Sequence, residues 1–115
     1  MTHANKSNHD FEPKVVVTSI SFSKSLVLKK SLLNIFPNSI FNETGQRLSG
    51  GKLVEFINNA DAAIVGIETI DDSLLKNTPS LKIISKYGVG LDSIDQKSLK
   101  DRGIFLGWTG GVNQR

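Results

Sequence analysis

Short apolar runs of strand length recur along the chain, and polar stretches with helical spacing separate them. The run Val15–Val17 is β-branched throughout, which is typical of a strand buried on both faces of a sheet. Ala62–Val65 and the stretch Leu81-Lys82-Ile83-Ile84 have the same character. The pattern predicts five strands, within residues 14–20, 39–41, 61–67, 81–85 and 104–106.

The polar stretch after the first strand predicts a helix, because its apolar residues recur at near-helical spacing. Ser21 or Ser23 is suited to cap its N-terminus, and Pro37 ends it. The residues that form its apolar stripe are Leu26, Leu28, Leu32, Leu33 and Phe36.

Three further helices are predicted between the later strands. Residues 50–59 follow Ser49 and place apolar side chains on one face. Thr69-Ile70-Asp71-Asp72 has the Thr-x-x-acid form of a capping box, which predicts the start of the next helix. Residues 95–102 form the last one, closed by Gly103 in the C-terminal capping position.

Strands and helices therefore alternate regularly with short connections, which predicts a parallel sheet joined by right-handed crossovers. Five strands with helices on both faces indicate an α/β, flavodoxin-like, three-layer domain with strand order 2-1-3-4-5. The competing topology is half of a dinucleotide-binding Rossmann fold.

Composition restricts the function classes. At 115 residues the chain has the length of one domain, and its net charge of +3 is spread along it. Because basic residues are not clustered and aromatic residues are sparse, we expect no nucleic-acid partner. No apolar run reaches the roughly 20 residues that cross a bilayer, so no membrane partner is indicated. The chain has no cysteine, which is compatible with the cytoplasm.

The first twelve residues are polar and without period, and we interpret residues 1–12 as a disordered leader. His3 and His9, the only two histidines, lie in this leader. A histidine-based metal or acid–base site within the folded part of the chain is therefore not expected.

The segment Gly88-Val89-Gly90 follows the fourth predicted strand, where glycines permit a tight turn and close approach of a ligand. A dinucleotide fingerprint would need a third glycine at Ser93 and a helix that starts at once, and neither is present. Dinucleotide binding is therefore the least favoured of three interpretations. In the other two, the glycines only turn the chain, or the amides of Val89 and Gly90 form an anion-binding nest. Lys86 would add positive charge, although a lysine is more often solvated.

Other polar residues near strand ends have both a structural and a functional interpretation. We expect Asp92 to fix the turn and Asp95 to cap the next helix. Glu68 follows the third strand and could face a ligand, but a solvated loop carboxylate is the commoner case. Trp108 either packs under a hinge or is exposed. Asn113 is either a donor to a ligand oxygen or a helix cap.

Several motifs, in this order and spacing, resemble the D-isomer-specific 2-hydroxyacid dehydrogenases, and most closely their D-3-phosphoglycerate dehydrogenase-like branch. The resemblance spans residues 14–115. Its motifs are Val65-Gly66-Ile67-Glu68, Pro79-Ser80-Leu81-Lys82, Ser85-Lys86-Tyr87-Gly88-Val89-Gly90-Leu91-Asp92-Ser93-Ile94-Asp95, Arg102-Gly103-Ile104 and Thr109-Gly110-Gly111-Val112-Asn113.

The resemblance implies an oxidoreductase that transfers a hydride between NAD(H) and a small 2-hydroxy or 2-keto acid. It implies a substrate domain over residues 13–109, incomplete here, and the start of an interdomain hinge over 110–115. The substrate-binding residues that it implies are Lys86, Gly88, Val89, Gly90 and Asn113, with the backbone at Val89-Gly90 holding the substrate carboxylate. By the resemblance, Lys86 stands where many relatives carry a basic residue near the substrate, and a lysine cannot reproduce the bidentate fork of a guanidinium.

The family's GxGxxG loop and its catalytic arginine, glutamate and histidine belong to later sequence, so no cofactor-binding, catalytic or metal residue is assigned here. We therefore expect a fragment that is inactive alone, from a homo-oligomeric NAD-dependent parent. An uncovered apolar face near the chain end predicts self-association.

The alternative is a stand-alone flavodoxin-like module that binds an anion or a protein. A receiver-like domain is disfavoured, because Ser19-Ile20-Ser21 after the first strand contains no acid.

Overall fold

The computed structural model describes residues 13–88 and 90–108, with Trp108 described by its backbone alone. The predicted leader, the hinge and the site residues Val89 and Asn113 lie outside the described residues.

Five parallel strands form one sheet in the order β2-β1-β3-β4-β5, which confirms the predicted α/β fold and strand order. Val16 lies beside Ala63 in the register, so β1 pairs with β3 directly. In a Rossmann half β2 would separate them, and that competing topology is excluded. The strands are β1 Val15–Val17, β2 Ile40–Phe41, β3 Ala62–Val65, β4 Ile83–Lys86 and β5 Phe105–Trp108.

Five helices connect the strands within the described residues, one more than predicted. The first crossover contains two helices, because Ser25 is extended and interrupts the predicted one. Ser19 and Ser25, rather than Ser21 or Ser23, cap these two helices, each accepting a hydrogen bond from the amide three residues ahead. The helices are α1 Ile20–Lys24, α2 Leu26–Ile35, α3 Gly50–Ile57, α4 Asp72–Lys76 and α5 Gln96–Asp101.

The predicted capping box at Thr69 is wrong. Asp71 caps α4 instead, accepting a hydrogen bond of 3.0 Å from the amide of Leu74. The reason is Ile70, which is fully buried and forms a parallel bridge with Ile94, so the helix can begin only after it. The predicted closure of α5 by Gly103 is confirmed by its left-handed backbone, with φ of +71°.

The two faces of the sheet are packed very differently. The face beneath α3, α4 and α5, called here the α3–α5 face, holds the larger apolar core, which includes Leu53, Ile57 and Ile84. The opposite, α1–α2 face holds a small cluster of Val17, Phe22 and Phe41. None of the described helices is long and apolar enough to cross a membrane.

Candidate functional site at the carboxyl edge of the sheet

A cavity of about 450 Å³ opens where β1, β3 and β4 end. Three chain segments line it, residues 19–21, 66–68 and 86–88. They meet because the sheet is parallel, so that the carboxyl ends of neighbouring strands share one edge. This is the edge at which open α/β sheets bind ligands, and the predicted glycine turn lies on it.

Lys86, the last residue of β4, is not the solvated surface lysine of the commoner interpretation. Only 5% of it is exposed. Its Nζ lies 3.7 Å from the position that a Cβ on Gly88 would occupy. No hydrogen bond or ion pair joins this amine to another described residue. Because a buried cation without a partner is costly, the amine is suited to an anionic ligand in the cavity.

The glycine turn after β4 has the backbone that its composition predicts. Gly88 and Gly90 have φ values of +115° and +82°, which side chains rarely tolerate. Tyr87 holds the start of the turn, since its amide donates to the Val65 carbonyl at 2.8 Å. Its ring packs edge-on against Phe22 at 5.3 Å between centroids. The structure thus brings Lys86 and Gly88 together at the cavity, with Gly90 in the same exposed turn.

Glu68 is not a solvated loop carboxylate, and the commoner interpretation from sequence is wrong for it as well. The residue is 1% exposed and lines the cavity. Its Oε1 accepts hydrogen bonds from Thr18 Oγ1 at 2.8 Å and from the Gly66 amide at 2.7 Å. A carboxylate held by two donors can remain charged while buried. Glu68 therefore ties the end of β1 to the end of β3.

Sequence reasoning did not identify Thr18 or Gly66 as part of the site. A Cβ on Gly66 would lie 3.1 Å from Ser19 Oγ and 3.2 Å from Ser19 Cβ, so the glycine permits the close approach of two segments. An isolated glycine directly after a strand was the available signal. Nothing in the local sequence marks Thr18 as a site residue, because its hydrogen-bond partner, Glu68, lies 50 residues further along the chain.

The two aspartates after the glycine turn have structural environments. Asp95 caps α5 as predicted, with Oδ1 accepting from the Ser98 amide at 3.1 Å. Asp92 is exposed, and its side chain makes no hydrogen bond to the described residues. The backbone closes that turn instead, through the Ile94 amide and the Leu91 carbonyl at 3.0 Å. Among the described residues no cluster of metal-ligating side chains occurs.

The glycine turn does not fit the pyrophosphate of a dinucleotide. Such a site needs a helix N-terminus immediately after the glycines. Here α5 begins only at Gln96 and contains six residues. The described residues therefore combine a flavodoxin-like sheet with a cavity that Lys86 and Glu68 line, and no dinucleotide site can be assigned to them.

The chain belongs to the D-isomer-specific 2-hydroxyacid dehydrogenase family. Residues 20–115 match the family model described as D-isomer specific 2-hydroxyacid dehydrogenase, catalytic domain. This confirms the family resemblance.

Relatives with assigned activities match the same region. The glyoxylate reductase of Thermococcus litoralis is 41% identical over 63 residues, which are 54% of this chain and 19% of the relative. That of Thermofilum pendens is 32% identical over 101 residues, 87% of this chain and 29% of the relative. The D-3-phosphoglycerate dehydrogenase of Mycobacterium leprae is 38% identical over 56 residues, 48% of this chain and 11% of the relative. The chain thus spans less than a third of each.

A solved structure shares both fold and sequence with this chain. The NAD⁺-bound 3-phosphoglycerate dehydrogenase of Entamoeba histolytica superimposes with a TM-score of 0.73 at 26% identity. The superposition covers 89% of this chain and 34% of the other. The flavodoxin-like arrangement is therefore the arrangement of a family member.

Proposed function

We propose that this chain supplies the carboxylate-binding part of the substrate domain of an NAD-dependent D-2-hydroxyacid dehydrogenase. The observation that carries the proposal is the buried side chain of Lys86, whose amine lies beside Gly88 in the cavity at the carboxyl edge of the sheet and has no carboxylate partner among the described residues. Family membership supports the carboxylate of a small 2-hydroxy or 2-keto acid as that anion.

In this proposal the ligand carboxylate lies between the Lys86 amine and the backbone amides of the glycine turn. Backbone amides bind carboxylates without side-chain entropy, and a neighbouring amine adds charge that a cavity hardly screens. Val89 and Asn113 complete the site by the family resemblance. A lysine ammonium is a point charge and lacks the planar set of N–H donors of a guanidinium. It therefore attracts the carboxylate without fixing its rotation.

We propose further that residues 13–109 form the substrate domain, that 110–115 begin the hinge, and that the chain alone is inactive. NAD supplies or accepts the hydride in the whole enzyme, and the described residues offer it no site. The measurement is NADH oxidation by the purified chain with glyoxylate, hydroxypyruvate or 3-phosphohydroxypyruvate. A rate equal to the protein-free rate is expected, and steady turnover would refute inactivity.

The binding proposal is tested by amide chemical shifts as D-glycerate is added. We expect the Gly88 and Gly90 resonances to shift with a dissociation constant of roughly millimolar order. Lys86→Met should abolish these shifts, because it removes the cation and keeps the side-chain length. Lys52→Met on the exposed surface of α3 is the matched control and should bind like the unaltered chain. Equal binding by both variants would refute the role of Lys86.

Self-association is a separate proposal. Ile83 and Phe105 are adjacent in the β4–β5 register and are 43% and 77% exposed. Such an apolar strip favours contact between copies of the chain. Sedimentation velocity should show a mass that rises with concentration, and Phe105→Lys should reduce that rise. A concentration-independent monomer would contradict the proposal.

A further inference from the structure

The cavity at the carboxyl edge contains a second buried charge that the proposed carboxylate site does not use. Glu68 commits Oε1 to Thr18 and Gly66, and no described residue donates to its Oε2. The carboxylate cannot swing away, because its two hydrogen bonds connect the ends of β1 and β3. The cavity therefore carries a fixed negative charge in its wall.

Among the described residues, the charges that line this cavity are one amine and one carboxylate, on Lys86 and Glu68. They are not an ion pair, since their charged atoms are not within 4.0 Å of each other. The Lys86 amine can therefore pair with one negative charge of a ligand, and the Glu68 carboxylate would repel a second negative charge on the same ligand. Coulomb repulsion between Glu68 and a second negative charge on the ligand is weakly screened, because Glu68 is nearly excluded from water.

We propose that Glu68 is a specificity-determining residue that restricts the site to acids with a single negative charge and excludes phosphorylated ones. This inference rests on the proposed function. A phosphate ester would bring a further charge of about −1.5 to −2 into the cavity at neutral pH. The substrate class is then a small 2-hydroxy or 2-keto acid with an uncharged tail, which meets Lys86 through its carboxylate.

The test uses D-glycerate and 3-phospho-D-glycerate, which differ only in the phosphate. Dissociation constants are measured for the full 115-residue chain from amide shifts at constant ionic strength. We expect D-glycerate to bind about tenfold more tightly or better. Glu68→Gln removes the charge but keeps an oxygen that accepts from Thr18 and Gly66. It should reduce the preference at least severalfold, mostly by strengthening binding of the phosphate ester.

Glu55→Gln is the matched control, since Glu55 is exposed on α3. It should leave the preference unchanged. Glu68→Met provides a second uncharged side chain of similar length if the glutamine variant does not fold. The preference of the unaltered chain is measured without any variant, so its absence would refute the role of Glu68 even if both variants were unstable.

The outcomes separate this inference from the proposed function. If neither acid binds, the proposed function is refuted, and the inference that rests on it is refuted as well. If 3-phospho-D-glycerate binds as well as D-glycerate or better, the carboxylate site stands and the role of Glu68 is refuted. If the preference exists but survives in both Glu68 variants, something other than this charge rejects the phosphate, and the inference is again refuted.

Discussion

The two faces of the sheet differ in how much apolar surface they bury, and so in how much they contribute to stability. The α3–α5 face buries large aliphatic side chains, such as Leu53, Ile57 and Ile84, almost completely. On the α1–α2 face, α2 has no buried residue, and Leu26 and Val27 are 76% and 74% exposed. Hydrophobic stabilisation follows the apolar area removed from water, so most of it comes from the α3–α5 face.

The candidate site borders the α1–α2 face, which is the less buried of the two. The start of α1 forms one wall of the cavity, and Tyr87 packs against Phe22 of the same helix. Segments with few buried contacts open more easily than the rest of a domain. The α3–α5 face therefore anchors the strands, while α1, from the less buried face, borders the cavity.

Two leucine truncations test the contrast between the faces and should give the largest difference. Leu53→Ala removes a side chain that is 2% exposed and should lower the free energy of unfolding by about 2–5 kcal/mol. Leu26→Ala makes the same chemical change on α2, where the side chain is 76% exposed, and should cost less than about 0.5 kcal/mol. Urea unfolding followed by circular dichroism measures both. Similar losses would contradict the proposed division between faces.

Two glycine substitutions sharpen the comparison at the cavity wall. Gly66→Ala would press a methyl group against Ser19, whose Oγ already accepts from the Phe22 amide at 3.1 Å. Because Ser19 cannot withdraw without losing this cap, we expect a loss of about 1–3 kcal/mol. Gly51→Ala in α3 meets nothing within 4 Å and should raise stability by up to about 1 kcal/mol. Thermal unfolding distinguishes the two, and losses of equal size would refute the close-approach argument.

The sheet could be predicted from sequence because its signal is local. β-branched runs such as Val15–Val17 and aliphatic runs such as Ala62–Val65 determine strands wherever they occur. Regular alternation with helices then leaves few possible topologies, and the observed order is the predicted one. The turn at Gly88 and the cap at Asp95 were likewise predicted from neighbouring residues.

Failures occurred where distant residues decide the outcome. Thr69 has the sequence of a cap, but burial of Ile70 against Ile94 moves the start of α4 to Asp71. Glu68 was taken as solvated because its donor on Thr18 is 50 residues away. For Lys86 the sequence left open a solvated side chain and one that adds positive charge at the glycine turn, and burial where three crossover segments meet excludes the first. Local sequence thus predicted the glycine turn at this edge but not the burial of Glu68.

The smallest effect is expected from a charge on the surface of the α3–α5 face. Asp72 of α4 accepts a hydrogen bond from Arg102 Nε at 3.0 Å, which joins α4 to the end of α5. This hydrogen bond is the main reason why the pKa of Asp72 lies below its ordinary value of 3.8. A lowered pKa in the folded state stabilises the fold above that ordinary value, and the contribution is lost as the pH falls through the folded pKa.

Asp72→Asn should therefore lower the melting temperature slightly at pH 7, and the difference from the unaltered chain should shrink as the pH falls below 3.8. The effect is small because solvent screens an exposed ion pair. Asp92→Asn, a change at an exposed aspartate without hydrogen bonds to the described residues, should show no such pH-dependent difference. Melting temperatures of both variants are measured by circular dichroism between pH 2 and pH 7. These two pH limits bracket the ordinary aspartate pKa. A difference for Asp72→Asn that stays constant over this range would mean that the lost contact acts through packing of α4 on α5 rather than through charge.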